Sequence, residues 1–420
     1  MEVVRAALLA CLSLLIVNHH AHGQTHVSNA RALGMGGAYL TQAFGAEAVR
    51  WNPATLGLRA TTRYSLMFAS FGLGASNNAF NSADYNRYNG AKLSTVDKQT
   101  LLQRVPLKGW DFHAGSGTEL LGFSFHNFAA MISMDFVSDA NLPRDVIDLL
   151  LNGNQMNRIY DFSRARGSAL AFASVGVAYG HAVVLPQKSI KLALGGTIKY
   201  LRGLGMVEMT EAKGQVRTTL TGISGDASAQ ARAAEGGNGF GLDLGATALL
   251  RRQWRVGITL RNVFATIGWQ RNVRLYEYGV HADSLTLVAV EEEENAVFGN
   301  TSESRRGGRF STILPPVLHL GVSRAWPEFV VSADVLQGMQ REYGITQTPE
   351  LRAGVELNFV PGLSTRVGIN AGGNHKIGSS LGVGLHAGDF HFDLAAGALG
   401  GFVPFMGKGL GVAMSMRVVK

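Results

Sequence analysis

The chain has 420 residues, of which 53 are glycine, 10 are proline and 16% are charged, with a formal net charge of +8. That is well short of the roughly one-quarter charged residues of a soluble domain. Its Lys and Arg residues form no run interleaved with aromatics, so the basic balance suits an anionic membrane surface and argues against a nucleic-acid partner.

In chain order, the first predicted element is a leader. Arg5 supplies a positive start, 6–17 is a 12-residue apolar run, and Ala21-His22-Gly23 places small residues for cleavage before Gln24. Leu8-Leu9-Ala10-Cys11 is a weak lipobox, set too early in the apolar run. Cys11 is the only cysteine. Its removal with the leader leaves no disulfide, thiolate metal ligand or cysteine nucleophile. Nothing after the leader is long and apolar enough for a transmembrane helix.

Residues 30–58, ARALGMGGAYLTQAFGAEAVRWNPATLGL, cluster Gly34, Gly36 and Gly37 ahead of a turn at Trp51-Asn52-Pro53. The stretch suits a nucleotide loop or a plug. The first reading is weak, because Gly34 to Tyr39 ends in tyrosine where a dinucleotide fingerprint needs Gly or Ala, and no strand precedes it. Asn52 can cap one helical turn beginning at Pro53 and ending at Gly57.

The rest of the chain alternates with period two, the signature of strands. In 254–262, Trp254, Val256, Ile258 and Leu260 oppose Arg255, Gly257, Thr259 and Arg261. In 410–418, Leu410, Val412, Met414, Met416 and Val418 oppose Gly411, Ala413, Ser415 and Arg417. The segments 240–248, 352–359 and 389–394 alternate likewise, and further runs bring the candidates to about 16. Short turns separate some runs, at 251–253, 326–327, 360–362 and 387–389, whereas 75–107 and 281–315 are long links. Short and long connections in alternation fit an outer-membrane barrel. So does the charge placement: one face is nearly all aliphatic and aromatic, the other is Gly, Ser and Thr with isolated Arg, Asp, Glu and His, which suits a crowded polar lumen. A soluble sandwich or propeller is the alternative, but its wet face carries more Lys and Glu, and no blade-length repeat occurs.

Two stretches break the alternation. Ser94 can cap a helix over 94–105, and Pro143 can open one over 143–151. The acidic run Glu291–Glu294 reads as a solvated loop rather than a cation site. No catalytic or metal motif appears: there is no HExxH and no GxSxG, Gly407-Lys408 lacks the Ser or Thr of a phosphate loop, and no histidine pair has strong metal spacing. His386 and His391 are placed at the lumen or rim. The expectation is a protein that is not an enzyme and has no metal or cofactor.

Arg31-Ala32-Leu33-Gly34-Met35-Gly36-Gly37-Ala38, followed by Ala48-Val49-Arg50-Trp51-Asn52-Pro53-Ala54-Thr55-Leu56, resembles the N-terminal region of the FadL-like outer-membrane proteins, which include long-chain fatty acid transporters and PorV-type secretion proteins. Downstream the similarity is diffuse, over 239–245, 256–262 and Pro315-Pro316. The chain departs from many outer-membrane proteins in ending on Lys420 and not on an aromatic. The resemblance implies an all-β, transmembrane antiparallel barrel of about 14 strands with a small N-terminal plug and short loop helices. The division follows: 1–23 signal peptide, 24–60 plug, 61–420 barrel. It implies a monomer in outer-membrane lipid, passing hydrophobic small molecules that bind near Leu101, Leu102, Leu149 and Leu150 among the loop helices, with movement of the plug opening a path. The alternatives are a PorV-like carrier of a secreted cargo protein, or a plugged barrel with a structural role.

Overall fold

The computed structural model describes residues 28–58, 64–186, 189–219, 222–251, 253–285, 298–373, 376–403 and 406–420. The leader and the acidic run at 291–294 lie outside them. Among the described residues the strands are β1 (Tyr64–Asn77), β2 (Trp110–Phe125), β3 (Phe128–Leu142), β4 (Ile159–Asp161), β5 (Arg166–Val183), β6 (Ile190–Thr219), β7 (Gly222–Leu250), β8 (Trp254–Trp269) and β9 (Arg271–Leu285). They continue as β10 (Phe298–Arg306), β11 (Phe310–Ile313), β12 (Val317–Ala325), β13 (Phe329–Gly338), β14 (Glu350–Val360), β15 (Leu363–Gly372), β16 (Lys376–Ala387), β17 (Phe390–Leu399) and β18 (Gly409–Val419).

Fourteen of these pair in an antiparallel ring: β1, β2, β3, β5, β6, β7, β8 and β12 to β18, closed where β18 returns to β1 in register Ser65 with Val419. Closure leaves no edge, the condition for a sheet whose surroundings offer no hydrogen-bond partner. The fold is thus a transmembrane barrel of the expected strand number, and among the described residues no helix is long and apolar enough to cross a membrane. The period-two runs carry it. Ile132, Met134 and Phe136 on β3, Val256 and Ile258 on β8, Leu381 and Val383 on β16, and Leu410 and Val412 on β18 all point outward and are exposed. Their neighbours Ser133, Thr259, Ser380 and Ser415 are buried inside.

One end of the barrel has short turns, including His126-Asn127 and Pro361-Gly362; the other carries the long connections. At the long-loop end β6 and β7 run on to 30 and 29 residues, far beyond the 9–11 or so that cross a bilayer. With β9 and β10 they form a ribbon of paired strands beyond the barrel. Both expected loop helices are present. Thr95–Arg104 has Ser94 as its cap, with Asp97 returning a bond to the Ser94 backbone. Arg144–Asn152 begins one residue later than expected, with Pro143 at the cap position. A third helix, Ser82–Tyr88, closes its own capping box through Asn81 and Asp84. Its sequence, SADYNRY, has no apolar stripe to announce it.

Candidate functional site: a layered lumen

Residues 28–58 lie inside the ring at the short-turn end and mid-height. The segment is a short helix (Ala30–Gly34) and two 3-10 turns (Gly45–Val49 and Pro53–Leu58). Too short to bury a core of their own, these turns lie directly on the wall. Inward-facing glycines on six of the strands make that possible. Gly117, Gly176, Gly245, Gly354, Gly368 and Gly382 each sit where an added Cβ would come within 3.0 Å of the segment. The tightest place is Gly368: its Cβ would stand 1.9 Å from the Gly36 nitrogen. Gly36 is itself left-handed at φ 64, a conformation in which a side chain is strained. These wall glycines are therefore the imprint of this segment on the barrel.

Each residue of the opening motif has a place in that contact. Gly34 faces Gly382 and Arg366, and Gly37 lies under the Arg352 guanidinium. Trp51 meets Tyr39 edge-on at 5.2 Å between ring centroids. The Asn52 Oδ1 accepts the Ala54 N–H at 3.1 Å, and Pro53 opens the second 3-10 turn. Gly57 lies within that turn instead of ending it.

Three charges punctuate the segment, and each is bound to the wall. The Arg31 guanidinium grips Glu356 through two bonds of 2.7 and 2.8 Å. Glu356 also accepts from Arg366 at 2.6 Å, and Arg366 donates to Asp393 at 2.7 Å. Glu47 accepts from Arg417 at 2.6 Å, Asn29 at 2.9 Å and the Tyr39 hydroxyl at 2.5 Å. On the opposite side Arg50 forms a two-bond pair with Asp135 at 2.8 and 3.1 Å. Buried charges hold only when paired and hydrogen bonded. Sequence reading passed over these residues. The available signal was three charges, Arg31, Glu47 and Arg50, in an otherwise uncharged stretch facing isolated charges on the small-residue face of the strands.

Above the segment the lumen changes character. On β6 the inward residues climb from Gly195 through Thr197 and Lys199 to Leu201; on β5 they climb from Gly180 through Ser174 to Phe172 and Leu170. Here the structure corrects the expected polar lumen: its upper region is apolar on the β3–β8 side. Val137, Leu170, Leu201, Met206, Ile267, Trp269 and Leu314 form one buried cluster inside the ring.

Between the segment and this cluster lies a chamber of about 100 Å³. Val49 and Arg50 form its floor, Asp135, Lys199 and Asp243 a charged belt, and Leu170, Phe172 and Leu201 an apolar wall. The belt is internally paired: the Lys199 ammonium donates to Asp243 and to the Asn262 side chain, both at 2.7 Å. Asn262, left-handed at φ 52, sits in a break of the β7–β8 ladder, and its backbone N–H donates to Asp243 at 2.7 Å. A second hollow of about 240 Å³ opens above, lined by Asp111, His113, Asp139, Arg166, Glu208 and the loop 341–345.

The leucines proposed for ligand contact sit elsewhere. The helices that carry them do meet, but Leu102 packs on the small cluster of Ala79, Val105 and Ile147, while Leu101 is buried and Leu150 is 74% exposed. None of Leu101, Leu102, Leu149 and Leu150 lines either hollow. His386 and His391, five apart in sequence, face one another across the β16–β17 turn with ring centroids 4.3 Å apart. Among the described residues no group of three or more His, Cys, Asp or Glu is arranged to hold a metal.

Residues 53–235, less than half of the chain, match a model described as a family of unknown function (DUF5723). No curated protein matches the chain closely enough to count as a relative. Solved structures do. The toluene transporter TodX of P. putida superposes with a TM-score of 0.52 at 10% identity, over 96% of this chain and 99% of that one. The toluene transporter TbuX of Ralstonia pickettii gives 0.50 at 12% identity, over 93% and 98%. A TodX deltaS2S3 mutant, described as a monoaromatic hydrocarbon channel, gives 0.54 at 11% identity, over 93% and 98%. At such identities the likeness speaks for the fold alone: the 14-strand antiparallel barrel that the opening motif implied is the fold of these channels.

Proposed function

We propose that the chain is an outer-membrane channel for uptake of hydrophobic small molecules, with residues 24–60 as its plug. The observation that carries the reading is the chamber itself, an apolar wall above a self-paired charged belt at mid-barrel. A protein carrier needs a broad docking surface and has no use for such a chamber, so the structure favours transport over secretion. An apolar solute gains about 25 cal/mol for each Å² it removes from water. The wall supplies that burial, while pairing of Arg50 with Asp135 and of Lys199 with Asp243 weakens the field the solute meets, with Arg261 as the remaining charged lining residue. No step calls for catalysis or a cofactor. The short-turn end then faces the periplasm and the long-loop end the outside. Leu101, Leu102, Leu149 and Leu150 remain candidates for a first, external contact, on the strength of the exposed Leu150. The toluene specificity of TodX and TbuX belongs to those proteins; for this chain the solute class is apolar and small enough for the chamber.

The test is native extraction. Protein folded in outer membranes is taken into mild detergent and analysed by mass spectrometry for small molecules and for proteins. A stoichiometric apolar molecule, lost on Leu170→Arg, is the expected result. A reproducible protein partner with no small ligand overturns the channel reading in favour of secretion. Deleting 28–58 should raise permeability; an inserted, folded barrel of unchanged permeability removes the plug role.

A further inference from the structure

The chamber and the outer hollow share two lining residues, Tyr343 and Ile345. Both belong to the connection between β13 and β14, whose neighbours Gln340, Arg341, Glu342 and Gln347 are exposed. Tyr343 and Ile345 are 8% and 9% exposed, so the tip of a surface loop is turned into the barrel. Two consecutive left-handed residues make that turn, Tyr343 at φ 49 and Gly344 at φ 75. Such a backbone suits glycine but is strained for a bulky aromatic. Burial in one cluster with Trp269 and Leu170 offsets the strain, and the Trp269 indole N–H is itself fixed by donating to Thr312 at 2.8 Å. Ile345 packs on Val317 and Leu336.

The loop is fastened to the barrel at its base. Gly338 donates to the Thr346 carbonyl at 3.1 Å, Met339 to Pro316 at 3.0 Å, and the Gln347 side chain to Met339 at 3.0 Å. At the tip the Ile345 N–H turns back within the loop, to the Glu342 carbonyl at 2.9 Å. The tip is thus strained on a fixed base and folded in, while its charged neighbours Arg341 and Glu342 already face solvent.

We propose that Tyr343 and Ile345 form the constriction between the outer hollow and the chamber, that it opens when residues 340–345 turn outward, and that these two side chains set the largest solute admitted. The inference rests on the channel reading, but its test is independent of transport. Ser174 lines the chamber, and the chain's single cysteine is Cys11. Ser174→Cys therefore places a reporter thiol below the constriction, with the protein lacking that substitution as the blank. Intact cells are treated with N-ethylmaleimide and with a maleimide carrying a bulky polyether, each rate being scaled to that for the unfolded protein. Behind Tyr343 the small reagent should react and the bulky one lag. Tyr343→Ala should raise the rate of the bulky reagent about tenfold, equivalent to about 1.4 kcal/mol, and Tyr343→Phe much less. Ile345→Ala gives the same reading should Tyr343→Ala fail to fold, as judged by heat-modifiable gel mobility. Equal rates for both reagents in the unaltered loop, or no change on either alanine substitution, overturn the proposal. Faster labelling in a protein that holds no apolar molecule on native extraction leaves the constriction standing and removes the uptake reading instead.

Discussion

The lower and upper halves of the lumen are built from the same strands by opposite means. Below, glycine, serine and buried ion pairs bind the segment 28–58 to the wall with backbone close to backbone. Above, leucine, isoleucine and tryptophan fill the same inward positions and leave a chamber under a loop. The lower half is specific and unforgiving, because its contacts rely on buried charges and on positions with no room for a Cβ. The upper half is adaptable, because apolar contact is non-directional. On the channel reading, sealing the barrel at one level and admitting a solute at another calls for both.

The strongest way to break this contrast is Glu356→Ala, which leaves Arg31 and Arg366 facing an empty site. Stranding a buried charge costs about 3–5 kcal/mol, so the folded, heat-modifiable form should melt markedly earlier. A melting curve matching the unaltered protein means that the ion pairs do not hold the segment in place. Gly368→Val comes next, at about 3 kcal/mol, the upper end of overpacking costs. It should expose the segment to limited proteolysis, whereas Gly205→Ala, whose nearest neighbour to an added Cβ lies 3.9 Å away, should not; equal protection of both variants breaks the imprint reading. Leu170→Ala sharpens the other side. It should cost about 2 kcal/mol, the low end for a buried leucine beside a hollow, and leave proteolysis of the segment unchanged. Increased cleavage within 28–58 would mean that the two halves are coupled.

The smallest effect is outside the barrel. Hydrogen bonds from the Ser94 hydroxyl and backbone hold Asp97 below its ordinary pKa. A depressed carboxylate contributes stability above the unfolded value, near 3.9, and loses it as pH falls through the folded one. The helix Thr95–Arg104 should therefore become easier to cleave only below about pH 4, and Asp97→Asn should flatten that dependence. Persisting pH dependence in the variant assigns the effect to another group.

Much of the barrel was legible in the sequence because its information is local. Alternation on β8 and β18 reports directly which side chain meets lipid and which meets the interior, and a proline or a Ser with Asp three residues on announces a helix start. The register of closure, the capping of Ser82–Tyr88 without an apolar stripe, and the apolar upper lumen were not legible. Nor was the site. Leu101, Leu102, Leu149 and Leu150 stood out as apolar residues on the two loop helices; Leu101 is buried, Leu102 packs within the helix pair, and none of the four lines the chamber. The chamber is assembled from single residues of many strands and links: Asp135, Leu170, Lys199, Asp243 and Leu314.

By itself the sequence determined the period of the strands, the apolar outer face and the Gly-rich opening segment, since each depends on residue type at short spacing. Only the tertiary structure decided which inward glycines receive that segment, which carboxylate answers each arginine, and that Tyr343 turns inward to stand between the chamber and the outer hollow. Those depend on residues as many as 370 positions apart, as Glu47 and Arg417 are, meeting across a closed ring, and no short-range pattern encodes such a meeting.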